Sequence, residues 1–421
     1  MNTENSVDAA VLVRENLGAR RFDLDWVRII AFMLLILYHV GMYYVTWDWH
    51  VKSPHASHAI EPLMQLTSPW RLSLLFLVSG VATAYLLARQ GNTGFLGGRS
   101  SRLLIPLLFG MLVIVPPQSY LEVVEKLNYA GNFADFYRLY ITGFHGFCRD
   151  GDCLLLPTWN HLWFVAYLWV YTVILFAVVR VLPGLIPVLR GWAERRLGGV
   201  GILLWPVVYL CAIRLGLAPR FPANHALVGD WYNHALYLGI FILGFALAGA
   251  RSPWRALERM RWATLGAAIL GWALISAYFG TWADTAESPA EWLKIVMRAV
   301  YGAEQWLAIA AVLGFAHRYL NLDNAARRYL TTAIFPVYIL HQTVIVVTAH
   351  AFKPANFFPP VEALMLVLLT LSACFLGYEI IRRIGPLRPL FGLAREPRAA
   401  TRLRSSAGGP AVAFSVPQDI N

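Results

Sequence analysis

Stretches of about 20 apolar residues recur along this chain, and helices of that length cross the hydrocarbon core of a bilayer. Ten are read here, at about 27–47, 70–89, 103–121, 161–182, 200–217, 231–250, 262–281, 299–320, 331–350 and 361–383, with Pro206, Arg214 and Glu304 interrupting the later ones. Composition agrees, since 58% hydrophobic residues, 14% charged residues and a mean hydropathy of +0.54 exceed what a soluble core needs. The expected fold is all-α, a polytopic bundle of about ten transmembrane helices with both termini cytoplasmic. Residues 1–26 form a cytoplasmic N-terminal segment, 27–383 the membrane domain, and 384–421 a basic tail whose Arg, Ser, Gly and Pro content predicts disorder.

Orientation follows from positive charge. With the N-terminus in the cytoplasm, that side receives Arg20, Arg21, Arg99, Arg102, Arg195, Arg196, Arg251, Arg255, Arg327, Arg328 and the tail. The opposite loops hold Asp48, Glu61, Glu122, Glu125, Asp150, Asp152, Asp284, Glu287 and Glu291. The net charge of +11 is therefore topological and gives no reason to expect nucleic acid as a partner. The first apolar run is too long for a cleaved signal and lacks a small-residue cleavage site, so it is expected to remain. Cys148 and Cys153 fall in a long outer loop where a disulfide is permitted, and the spacing alone does not decide whether it forms. Cys211 and Cys374 read as small apolar residues. No metal pattern, cofactor fold or fixed-period repeat stands out.

Polar residues inside the spans carry the chemistry. Arg28 and His39 are eleven residues apart, about three turns on one helical face, with His39 roughly 16 Å further into the membrane. Ionisable groups at that depth usually face a polar interior or a reaction site, which makes His39 the first candidate for chemistry; a core histidine bonded to a neighbouring span is the plainer alternative. Asp25 has the spacing to pair with Arg28 and otherwise anchors the helix as an interfacial ion pair. Ser79-Gly80 suits close helix packing, and Arg99 with Arg102 suits topology; together, beside Gly97 and Gly98, they make a candidate diphosphate clamp. His161 and Trp163 stand at an outer helix end, where they either line an entrance or belong to an interfacial belt. His341 falls mid-span, as a hydrogen-bonding support or a substrate contact. Glu304 is a candidate partner for His341 or Arg298, and His50, His55 and His58 read as exposed loop histidines.

The ordered set Phe22-Asp23-Leu24-Asp25-Trp26-Val27-Arg28, His39 after an R-x10-H spacing, Ser79-Gly80, Arg99-x-x-Arg102-Leu103-x-x-Pro106, His161-Leu162-Trp163-Phe164 and Tyr338-Ile339-Leu340-His341 resembles the transmembrane acyltransferase family 3. Leu37-Tyr38-His39-Val40-Gly41-Met42 with Trp47-Asp48-Trp49-His50 is similar to its glucan-biosynthesis branch. The resemblance implies a multi-pass enzyme of the bacterial inner membrane that takes an acyl group from cytoplasmic acyl-CoA and delivers it to an extracytoplasmic carbohydrate. In that branch the group is succinyl and the acceptor a periplasmic glucan. Catalysis would rest on His39, Arg28 and Asp25, donor binding on Arg99, Arg102, Ser79 and Gly80, and the acceptor or supporting side on His161, Trp163 and His341. Acyl-CoA enters as a substrate, membrane lipid is the surrounding partner, and no permanently bound cofactor or metal is implied. Val81 departs from the aromatic residue that many relatives carry after Ser-Gly, and the fused extracytoplasmic hydrolase-like domain of some relatives is not expected here. A secondary transporter is the rival of another class, although the two related halves common in such proteins are not evident.

Overall fold

The computed structural model describes residues 20–149, 151–283, 285 and 287–395. The expectations for the extreme termini, Asp150 and Asp284 lie outside the described residues. The long helices are α1 (Phe22–Tyr44), α2 (Arg71–Phe109), α3 (Pro116–Leu127), α4 (Phe133–Ile141), α5 (Trp163–Val181), α6 (Leu185–Arg196), α7 (Gly201–Gly216), α8 (Trp231–Leu247), α9 (Ser252–Trp282), α10 (Glu291–Tyr319), α11 (Ala325–Phe352) and α12 (Pro359–Ile381). A small hairpin, Cys148–Arg149 against Asp152–Cys153, is closed by a Cys148–Cys153 disulfide, which answers the question left open by the sequence.

Among the described residues, eight helices are long and apolar enough to cross a membrane, which makes this an all-α polytopic membrane protein. The expected fifth and sixth spans are shorter than the sequence suggested. The fifth is the 16-residue α7, joined to α6 at a bend of 110°, and the sixth is the 17-residue α8. Gly199 turns that bend with φ +60, a conformation disfavoured for residues with a Cβ. The expected third span also moves: Gly91, at φ +62, kinks α2, so the crossing runs Gly94–Ile114 and Pro116 starts a separate helix.

The solvent-accessible surface inverts the pattern of a soluble protein. Leu364, Leu376, Trp262 and Leu270 are each about 60% exposed on helix flanks, as expected for side chains that face lipid tails. Charges gather at the helix ends. At one end, Arg21 pairs with Asp23 at 2.6 Å, Arg327 with Asp323 at 2.7 Å, and Arg382 with Glu379 at 2.8 Å. At the other, Lys126 bonds both Asp48 and Glu122, while Lys353 and His350 hold Glu125.

Small residues set the tightest helix crossings, as is usual where lipid leaves no water to expel. A Cβ on Gly80 of α2 would strike the Phe241 carbonyl of α8, and one on Gly244 would strike the Leu77 carbonyl in return. The Ser79 carbonyl accepts from Thr83 Oγ1 at 2.7 Å. Gly80 is thus a close-packing residue, while Ser79 is half-buried beside it. Gly80→Ala is expected to lower stability by roughly 1–3 kcal/mol through overpacking, measured by thermal unfolding in detergent.

Candidate active site

Helices α1 and α11 pack side by side, and this contact joins His39 to His341. His39 Nδ1 and His341 Nε2 are 2.8 Å apart, with the rings stacked at 5.0 Å and 12°. His341 Nδ1 lies 2.6 Å from the Tyr338 carbonyl. A carbonyl only accepts, so His341 carries its proton on Nδ1 and offers a bare Nε2. His39 must then donate from Nδ1, which leaves its own Nε2 as the free base. His341 is fully buried, so it stands behind His39 and fixes its tautomer, while His39 borders a cavity of about 410 Å³.

His161 and Trp163 line the same cavity, at the junction leading into α5. His161 Nε2 donates to the Ile339 carbonyl at 3.1 Å, and Tyr338 Oη donates back to the His161 carbonyl at 2.5 Å. Its ring meets that of His341 edge-on at 5.2 Å. Trp163 packs against His225 and Tyr237, giving the cavity an aromatic wall.

A polar chain leads from this centre toward the outer loops. Gln118 Oε1 accepts from Asn160 Nδ2 and Gln342 Nε2, each at 3.1 Å, and Gln118 Nε2 donates to Thr343 Oγ1 at 2.6 Å. Gln342 Nε2 also donates to His50 Nε2 at 2.9 Å, and His50 Nδ1 donates to Glu122 Oε2 at 2.5 Å. Burial pushes the Glu122 carboxyl up, but His50 and Lys126 outweigh it and hold the group at about 2. His50 therefore differs from the exposed loop histidine expected of it: its side chain is 14% exposed and tied into the helix core. Sequence reasoning missed Gln118, Glu122 and Gln342 as parts of this site. The consecutive polar residues His341-Gln342 within an apolar run were the available signal. His55 and His58 do lie on the outer surface, bonded to Asn356 and Glu61. Among the described residues, no group of His, Cys, Asp and Glu has an arrangement for holding a metal ion.

At the other end of α1, Arg28 donates to the Thr331 carbonyl at 3.2 Å and leaves its Nε buried without a partner. Arg99 and Arg102, on α2 past the kink, are its electrostatic neighbours, and Arg99 Nε is likewise buried and unpartnered. Asp25 does not bond Arg28. Its carboxylate accepts from Arg327 Nη1 at 2.5 Å and from Arg20 Nη2 at 3.0 Å, because the nearly inaccessible Arg327 at the start of α11 reaches across to it. Asp25 thus clamps α1 to α11. Glu304 meets neither His341 nor Arg298 through a hydrogen bond. Its Oε2 is buried without a partner beside a separate apolar cavity of about 550 Å³.

Three features thus sit on one membrane-helix frame: an oriented imidazole at a cavity, a basic cluster at one end of its helix, and a polar chain toward the loops at the other. The chain belongs to the family 3 acyltransferases, whose Acyltransferase domain matches residues 21–379. Among curated relatives, Glucans biosynthesis protein C of Salmonella gallinarum is 23% identical over 402 residues, covering 90% of this chain and 98% of its own. Glucans biosynthesis protein C of Salmonella typhimurium is 23% identical over 408 residues, covering 90% and 97%. No solved structure matches the chain.

Proposed function

We propose that this protein transfers an acyl group, with succinyl favoured, from cytoplasmic acyl-CoA to a hydroxyl of a periplasmic glucan or another extracytoplasmic carbohydrate, and that it does so in the bacterial inner membrane. The observation that carries the reading is the His39–His341 relay beside the cavity, on the same helix as the Arg28 cluster. The nucleotide and diphosphate of CoA are anionic and remain near Arg28, Arg99 and Arg102, whose guanidiniums suit phosphate oxygens. The pantetheine arm runs along α1 and brings the thioester carbonyl to His39, about 16 Å deeper.

His39 Nε2 takes the proton of the sugar hydroxyl as its oxygen attacks the thioester carbonyl. The tetrahedral intermediate collapses with loss of the thiolate. His39 returns the proton to sulfur, giving the ester and free CoA. His341 accepts the hydrogen bond from His39 Nδ1 throughout, and so holds the ring in one tautomer and supports the transient imidazolium. His161 and Trp163 border the side from which the acceptor enters, and the sugar need not cross the membrane.

The test is transfer by purified full-length protein, with radiolabelled succinyl-CoA or acetyl-CoA and a glucan acceptor. Ester on the glucan and stoichiometric free CoA thiol are expected. Label that moves across proteoliposomes without thiol release would favour a carrier and sink the reading. Acetyl transfer to a lipid-linked sugar or surface polysaccharide, with none to glucan, would redirect it to an O-acetyltransferase.

A further inference from the structure

The cavity beside His39 holds two guanidiniums, and no carboxylate is among its described lining residues. Arg71, the first residue of α2, is 2% exposed. Its Nη1 donates to Thr67 Oγ1 at 3.0 Å, its guanidinium lies 3.9 Å from the centre of the Tyr38 ring, and its Nε is buried without a partner. Arg214, in the last turn of α7, repeats the pattern. Its Nη1 donates to Tyr232 Oη at 2.8 Å, its guanidinium lies 3.4 Å from the Tyr301 ring centre, and its Nε is buried and unpartnered. Glu304 influences Arg214 electrostatically but opens onto the separate apolar cavity and makes no ion pair with it.

Ring faces and neutral oxygens compensate a buried cation only in part. Two such cations border one space, each with an unused N–H and neither with a carboxylate bonded to it. A carboxylate matches them, because its two oxygens accept from planar guanidinium forks. We infer that Arg71 and Arg214 grip the terminal carboxylate of a dicarboxylic acyl group and so make the protein select a succinyl-type thioester over an acetyl-type one.

The inference rests on the acyl-CoA reading above and adds the residues that choose the acyl group. Arg71 begins one span and Arg214 ends a helix on the same side, the outer one in the orientation given by positive charge. Arg28, Arg99 and Arg102 stand at the opposite side. A thioester whose CoA moiety stays with that cytoplasmic cluster presents its carbonyl at His39 and points its acyl tail outward, into the cavity. An acetyl group ends there. A succinyl group continues through two methylenes to a charge.

The same carboxylate chemistry could reside on an acidic acceptor, so the experiment separates donor from acceptor. Binding of succinyl-CoA, acetyl-CoA and CoA to purified full-length protein is measured without any carbohydrate, for wild type, Arg71→Gln, Arg71→Lys and Arg214→Gln. Wild type is expected to hold succinyl-CoA roughly tenfold or more tighter than acetyl-CoA, the scale of a hydrogen bond to a charged group. The Gln variants are expected to lose that preference and keep their acetyl-CoA and CoA affinities, which also report an intact fold. Arg71→Lys restores it only in part, because a point charge lacks the fork. Equal wild-type affinity for the two thioesters overturns the inference, as does an unaltered preference in both Gln variants. Variants that change only the KM for an acidic carbohydrate would move the carboxylate to the acceptor and overturn it too. If the variants do not fold, protection of wild type by free succinate but not acetate decides the matter in the same directions. Absence of binding by every CoA compound would instead defeat the acyl-CoA reading itself.

Discussion

His39→Ala is expected to leave a protein that inserts, folds and binds acyl-CoA, while the rate of transfer falls by about 10²–10⁴-fold, the usual contribution of a positioned general base. The Nδ1–H of His39 is committed to His341, so Nε2 is its one available base, and it stands on a helix fixed at both ends. Alanine removes the base without taking an ionised group from the packing. The loss should therefore appear in kcat at saturating donor, with the Kd for acyl-CoA nearly unchanged. His341→Ala removes the acceptor that sets the tautomer and should also lower kcat, by less, with a changed pH profile because the remaining imidazole is no longer oriented. A near-normal rate in His39→Ala would end the proposal that this residue moves the proton.

The second large effect is expected at the basic cluster. Arg99→Gln combined with Arg102→Gln should raise the KM for acyl-CoA by about 10–100-fold, since each hydrogen bond between charged groups contributes roughly 1.5–3 kcal/mol and the two are only partly independent. Arg28, Arg99 and Arg102 repel one another electrostatically, and Asp25, the carboxylate that acts on Arg28, is already bonded to Arg327 and Arg20. Their mutual repulsion is relieved by an anion, so the double substitution should stabilise the ligand-free protein or leave it unchanged while weakening the donor. A pantetheine thioester that lacks the nucleotide provides the control. It should be used equally well by wild type and variant, because it brings no phosphate to the cluster. Equal loss with both donors would show that the arginines serve the fold instead.

Much of this arrangement was legible residue by residue. Runs of apolar residues announce membrane helices because hydropathy is a local sum, and the spacing from Arg28 to His39 places both on one face because helical geometry repeats within a single element. Asp25 shows where that reasoning stops. Three residues of spacing allowed it to pair with Arg28, yet Arg327, 302 positions away, took its carboxylate. Gly80 shows the same limit, since only the backbone of α8 lying against it distinguishes a packing glycine from a ligand-binding one. His50 reads as exposed because it sits in a loop between spans with no metal-ligand spacing, yet the fold turns it inward to Gln342.

The sequence by itself determined that the chain is an all-α membrane protein and which polar residues interrupt its apolar runs. The tertiary structure decided that His39 meets His341, that Arg71 and Arg214 share a cavity, and that the fifth apolar run is one arm of a helix pair bent by 110°. These partnerships depend on how helices far apart in the chain cross and rotate against one another. Periodicity within one helix carries no information about that angle, which is set by the small residues and side-chain ridges where two helices touch.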